Sequence, residues 1–125
     1  MIILEAPFSY EKFIKVKTLD DIKNTTSNST LIFDYCESSL TLFEFCKHNN
    51  IPYGVNISSI KELIFISNLN AKYAFADNIE KAKIFQKIAN EYLLDTKIIV
   101  YINSFEEIEK VAMFGIDGVK LKENK

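Results

Sequence analysis

Arginine is missing from this chain. Its fifteen cationic side chains are all lysine, beside a single histidine, His48. Base-edge readout and two-pronged phosphate grip depend on the planar guanidinium fork. No lysine cluster forms a basic stripe either, and the formal net charge is −2, so nucleic acid is not an expected partner. Cysteine is scarce too. Cys36 and Cys46 make no disulfide framework, and Cys46-x-His48 lacks the further ligands a zinc site needs. No run approaches the roughly 18 apolar residues of a membrane span. The opening Met1-Ile-Ile-Leu-Glu5 lacks the basic region and small-residue cleavage site of a secretory signal. The expectation is a protein of a reducing cytoplasm, without membrane contact. The abundance of Lys, Ile and Asn fits an AT-rich bacterial genome.

What is present suits one domain over residues 1–125, with 48% hydrophobic and 26% charged residues. Only three glycines occur, and two fall in Phe114-Gly-Ile-Asp-Gly-Val-Lys-Leu121. A repeat explains their placing. Pro52–Leu63 lies over Lys97–Ile108 without a gap, setting Ser59 on Ser104, Glu62 on Glu107 and Asn70 on Gly115. Each copy reads as strand, cap, helix, stop, strand. Ser59-x-x-Glu62 and Ser104-x-x-Glu107 are capping boxes; Asp77-x-x-Glu80 and Thr18-x-x-Asp21 are variants of the same start. Asn50, Asn70 and Gly115, with Asp95 in another unit, are candidates for the left-handed helix stop. Gly118 then lets the next strand begin close to its neighbours.

Strands are expected near 13–17, 30–35, 52–57, 72–76, 97–102 and 118–121, with residues 2–5 as an edge. Helices are expected near 19–25, 39–48, 60–69, 78–94 and 105–114. Alternating βα units imply an α/β domain with a mostly parallel, five- to six-stranded open sheet, flavodoxin-like or half-barrel-like. The units resemble part of a (β/α)8 barrel, and "GIDGVKL" is similar to the Gly-Ala-Asp-Gly-Val link that leads into barrel strands. The same stretch resembles the end of a response-regulator receiver domain, but the acidic pair and acceptor Asp of a receiver are not in place. Eight units do not fit this length. The whole chain also resembles small bacterial α/β proteins, a likeness that implies no chemistry.

In such folds ligands bind beyond the C-terminal ends of the strands. The residues leaving strands include Asp34, Cys36, Glu37, Asn56, Ser58, Asp77 and Asn103. Asp34, Asp77 and Asn103 are the candidate ligand-binding residues, and their oxygens would suit Mg²⁺. Asp34 could equally cap the next helix with Glu37 and Ser38. Ser59, Asp77 and Ser104 are accounted for as N-caps. No lysine falls in these loops before the helices begin, so the edge is expected to repel phosphate. Cys36 and His48 lie at opposite ends of one helix, roughly 15–18 Å apart at about 1.5 Å per residue, too far for a dyad. No catalytic residue, metal site or cofactor is therefore expected.

Helices 39–48 and 60–69 are apolar on several sides, which calls for cover from more than a sheet. A second copy of the chain is the expected cover, the alternative being that Met1–Tyr10 folds across them. The expectation is a non-catalytic binding or assembly module forming a homodimer. The alternatives are a small metal-dependent enzyme, or a small-ligand sensor using the strand edge.

Overall fold

The computed structural model describes residues 1–123. Runs rich in β-branched and aromatic residues form its strands, and helices follow five of them. In chain order the elements are β1 (Ile2–Ile3), β2 (Lys12–Lys15), α1 (Leu19–Lys23), β3 (Ser29–Asp34), α2 (Leu40–His48), β4 (Tyr53–Asn56), α3 (Ile60–Asn68), β5 (Tyr73–Ala76), α4 (Ile79–Glu91), β6 (Lys97–Ile102), α5 (Ile108–Met113) and β7 (Gly118–Leu121). All pairings are parallel, and the sheet order is β1-β7-β6-β5-β4-β3-β2.

That order excludes a flavodoxin-like sheet. Each unit from β2 to β7 lays its strand on the same side of the last, with no reversal, so the helices collect on one face. A doubly wound sheet reverses and is covered on both faces. The helix-facing core holds Phe33, Phe43, Tyr53, Val55, Leu63, Ile66, Phe85 and Val100. The other face carries Leu4, Ile32, Tyr73, Phe75 and Ile99, all buried, with Phe13 and Tyr101 against them. Among the described residues no helix supplies that cover; the sheet covers itself. Phe13 on β2 meets Tyr73 and Phe75 on β5 at centroid distances of 6.0 and 6.2 Å. Along a flat sheet those strands would stand about 14 Å apart, so the sheet is curled. The architecture is a half-barrel of seven parallel strands, one or two more than the sequence suggested. The extra strand is the short edge β1, paired with β7 through Ile2 and Ile3.

β1 also overturns the idea that Met1–Tyr10 covers the apolar helices. Leu4 packs inside the curl, and its N–H bonds to Val119 O at 3.0 Å. On α2 the apolar side chains are accounted for within the chain: Phe43 and Cys46 are buried, and Leu40, Leu42 and Phe45 pack on the core. On α3, Leu63 and Ile66 are buried, while Ile60 and Phe65 remain 41% and 38% exposed.

Local sequence sets the helix ends. Thr18 and Asp21 form a reciprocal capping box. Ser59 Oγ accepts from Glu62 N, and the Glu62 carboxylate accepts from Ser58 N. The Glu107 carboxylate accepts from the N–H of Asn103 and of Ser104. The α4 cap differs from expectation. It is Asn78, whose Oδ1 accepts from Lys81 N, and not Asp77. Asn50, Asn70 and Gly115 adopt left-handed φ of 53°, 62° and 65°. After α4 the left-handed residue is Leu93, at 52°, and not Asp95. Asp117, in the link to β7, accepts from Ile98 N at 2.9 Å and so ties β6 to β7. A Cβ at Gly118 would stand 2.6 Å from Ile2 O; only glycine lets β1 approach that closely.

Candidate functional site

Inward-facing side chains of the curled sheet alternate along each strand, and they form three levels. At the strand starts, Glu11 accepts from Thr30 Oγ1 (2.5 Å), Tyr73 Oη (2.6 Å) and Lys72 Nζ (2.9 Å). Burial raises the Glu11 pKa, but those three donors outweigh it and hold the carboxyl below its ordinary value. The middle level is the apolar set around Phe13, Ile32, Phe75 and Ile99. At the C-terminal ends a cavity of about 530 Å³ opens, floored by Phe13, Ile32 and Tyr101.

A hydrogen-bonded row crosses that mouth. Lys15 Nζ lies 3.1 Å from Asp34 Oδ2. Asn56 Nδ2 donates to Asp34 Oδ1 at 2.8 Å, and Tyr101 Oη donates to Asn56 Oδ1 at 2.7 Å. Four strands thereby contribute one polar side chain each: β2, β3, β4 and β6. The Asn56 amide, with Lys15 behind it, holds the Asp34 carboxyl below its usual pKa. Burial pushes the Tyr101 phenol well above its ordinary value, so it stays a neutral donor. Tyr101 stacks on Phe75 with centroids 5.3 Å apart, which fixes its ring.

Asp34 is therefore not a helix cap, and since Asn78 caps α4, the Asp77 side chain is not spent on capping either. The structure brings Asp34 and Asp77 into the same cavity lining, and Asn103 is not among the lining residues. Among the described residues no three His, Cys, Asp or Glu side chains stand close enough together to hold a metal ion.

The edge is less acidic than its loops alone suggest. Lys15, Lys120 and Lys122 all line the cavity. They sit on the strands or just past their ends, where a search confined to the loops misses them. The available signal was the period of two: Phe13-x-Lys15 and Lys120-x-Lys122 each put both residues on one face. Tyr35 is a further surprise. It lines the same mouth, and its hydroxyl is buried without a hydrogen-bond partner among the described residues.

The cysteines do not join the site's polar row. Cys46 is buried, and burial pushes its thiol to about 11. Cys36 is exposed, and its Sγ lies 3.1 Å from Ser38 Oγ, a contact that lowers its pKa. A larger hollow, about 700 Å³, lies at the strand starts near Lys72 and Lys97. There Thr96 Oγ1 is spent on Ala71 O, and Lys72 on Glu11, so it offers fewer unspent groups than the mouth.

No protein-family model matches the chain, and comparison with curated proteins yields no match. What the geometry defines is a class by architecture, a parallel α/β half-barrel with a polar, aromatic-floored mouth. No helix is long and apolar enough to cross a membrane among the described residues.

Proposed function

We propose that this protein binds a small polar organic molecule at the mouth of its half-barrel and performs no chemistry on it. The observation that carries this reading is the Lys15–Asp34–Asn56–Tyr101 row on an aromatic floor. Its cavity, about 530 Å³, lies within the usual size range of small-molecule sites. Fixed donors and acceptors over an apolar base orient a ligand. Neither cysteine is paired with the only histidine, and Tyr101 and Asn56 are locked in one another's hydrogen bond. That favours recognition over catalysis.

Thermal melts test it, because a ligand that binds only the native state raises Tm. The wild type and Asn56→Leu are melted in chelator, in excess Mg²⁺ or Mn²⁺, and against a library of small organic compounds. Stabilisation of the wild type alone, by an organic compound in chelator, is the expected result. A metal-dependent rise in the wild type, lost in Asp34→Asn, would instead favour a metal-dependent enzyme. A library without any stabilising member would count against the reading.

Self-association through α3 is a second reading, favoured by the exposure of Ile60 and Phe65 on one short helix. Equilibrium sedimentation of the wild type and Phe65→Glu tests it: a dimer in the first and a monomer in the second is the expected pattern.

A further inference from the structure

Resting on that reading, we propose that the ligand is a small organic oxyanion, a carboxylate or phosphate monoester, whose anionic group is held by Lys120. This lysine differs from the other cations of the mouth. Its side chain is only 12% exposed. Its contact with a carboxylate is long: Glu5 Oε2 stands 3.5 Å away. Glu5 is not free to close on it, because the same oxygen accepts from Leu121 N at 3.1 Å. The ring of Phe13 covers Lys120 on another side, 5.0 Å from Nζ to centroid. An ammonium withdrawn this far from water needs acceptors, and it carries three donors. Glu5 is its single hydrogen-bond acceptor among the described residues. An oxyanion in the cavity completes that shell.

The neighbours favour the same orientation. Lys120 on β7 is the register partner of Tyr101 on β6. A group bound at Lys120 therefore lies beside the Tyr101 ring, which offers a face for the body of the molecule. Lys122, two residues further on, adds a second cation on that side; the exposed Glu123 also lines the mouth there and offsets one of the two charges. Asp34 and Asp77 come from β3 and the end of β5, away from β7 in the sheet order. They repel an anion and accept hydroxyl or ammonium protons, so they fix which end of the ligand points where.

The test uses probes matched in shape and differing in charge: phenyl phosphate and benzoate against phenol and benzamide. Each is titrated at millimolar concentration into the whole protein, followed by amide NMR shifts at Asn56, Tyr101 and Lys120. The expected result is saturable shifts with the charged probes only. Lys120→Met should weaken them by roughly 10- to 100-fold, the loss of a charge-assisted hydrogen bond. Glu5→Gln keeps an acceptor for Leu121 N and removes the competing charge, so it should tighten them several-fold. If Lys120→Met does not fold, Glu5→Gln decides, and unchanged or weaker binding there overturns the proposal. Equal shifts from neutral and charged probes, or charged-probe binding unaltered in folded Lys120→Met, overturn the oxyanion and leave the mouth as a binding site. The absence of any shift from all four probes overturns the oxyanion, and the melts against the compound library then decide the wider reading.

Discussion

Replacing Glu11 tests how the half-barrel is held at its base. The Glu11 side chain is 18% exposed, and two of its three donors come from buried residues, Thr30 at 3% and Tyr73 at 4% exposure. Glu11→Ala leaves both hydroxyls without an acceptor, at about 1–3 kcal/mol each. Lys72, 48% exposed, returns to water and adds little. The expected loss is therefore about 2–6 kcal/mol, a large share of the roughly 5–15 kcal/mol a domain has. Glu11→Gln keeps one acceptor and loses the charge, so about 1–2 kcal/mol should go. Urea unfolding at neutral pH measures both. Acid adds an independent check. The folded pKa of Glu11 is lowered from the ordinary 4.5, so the unfolded chain takes up its proton first. The contribution is complete above that ordinary value and is lost as pH falls through the lower folded one. The gap between wild type and Glu11→Gln should therefore narrow steadily as pH drops below the ordinary value. A loss under about 1 kcal/mol for Glu11→Ala, or a gap that widens in acid, would refute the view that this carboxylate pins the segment before β2 to the sheet.

Other substitutions probe single features. Gly118→Ala puts a methyl against Ile2 O and should cost about 1–3 kcal/mol, with amide exchange accelerated in β1 before the other strands. Tyr35→Phe removes a buried hydroxyl without a partner; calorimetry should find stability unchanged or raised by up to about 1 kcal/mol, and a clear loss would mean the hydroxyl is bonded. Asp34→Asn breaks an ion pair whose two side chains are 54% and 60% exposed, so urea unfolding should register less than about 1 kcal/mol.

The helix boundaries were legible because local chemistry writes them. Ser59, Thr18, Asn70 and Gly115 act within one turn of their own position, and their side chains or φ angles are as the spacing implies. Where two residues compete locally the choice was not legible. Asp77 and Asn78 are both good caps, and the backbone enters α4 one residue later than the capping-box spacing suggested. Leu93 takes a left-handed φ that its side chain disfavours; nothing in its own chemistry announces that. The curl of the sheet was beyond local reading altogether, since it depends on Phe13 meeting Phe75 across the two strands between them. For the site, the strand-edge rule pointed to Asp34 and Asp77, but the lysines required knowing which face of β2 and β7 turns inward.

The two ends of the half-barrel differ in how they accommodate charge. Both ends carry charge on an aromatic middle. At the base, Glu11 takes three donors from its own chain, two of them from buried residues, and its cluster is closed. At the mouth the row from Lys15 to Tyr101 satisfies its own members, yet it leaves groups around it incompletely matched. Lys120, 12% exposed, has one long carboxylate contact, while Asp77, exposed and unspent on any cap, lines the same cavity. A chain selected only for folding would gain by pairing or removing Lys120, because a largely buried charge without a close partner costs stability. The base has that economy and the mouth does not. The strand order keeps all helices outside, so the mouth is where these unpaired groups converge with an apolar floor, and a ligand carrying the complementary charges is the simplest account of their being there.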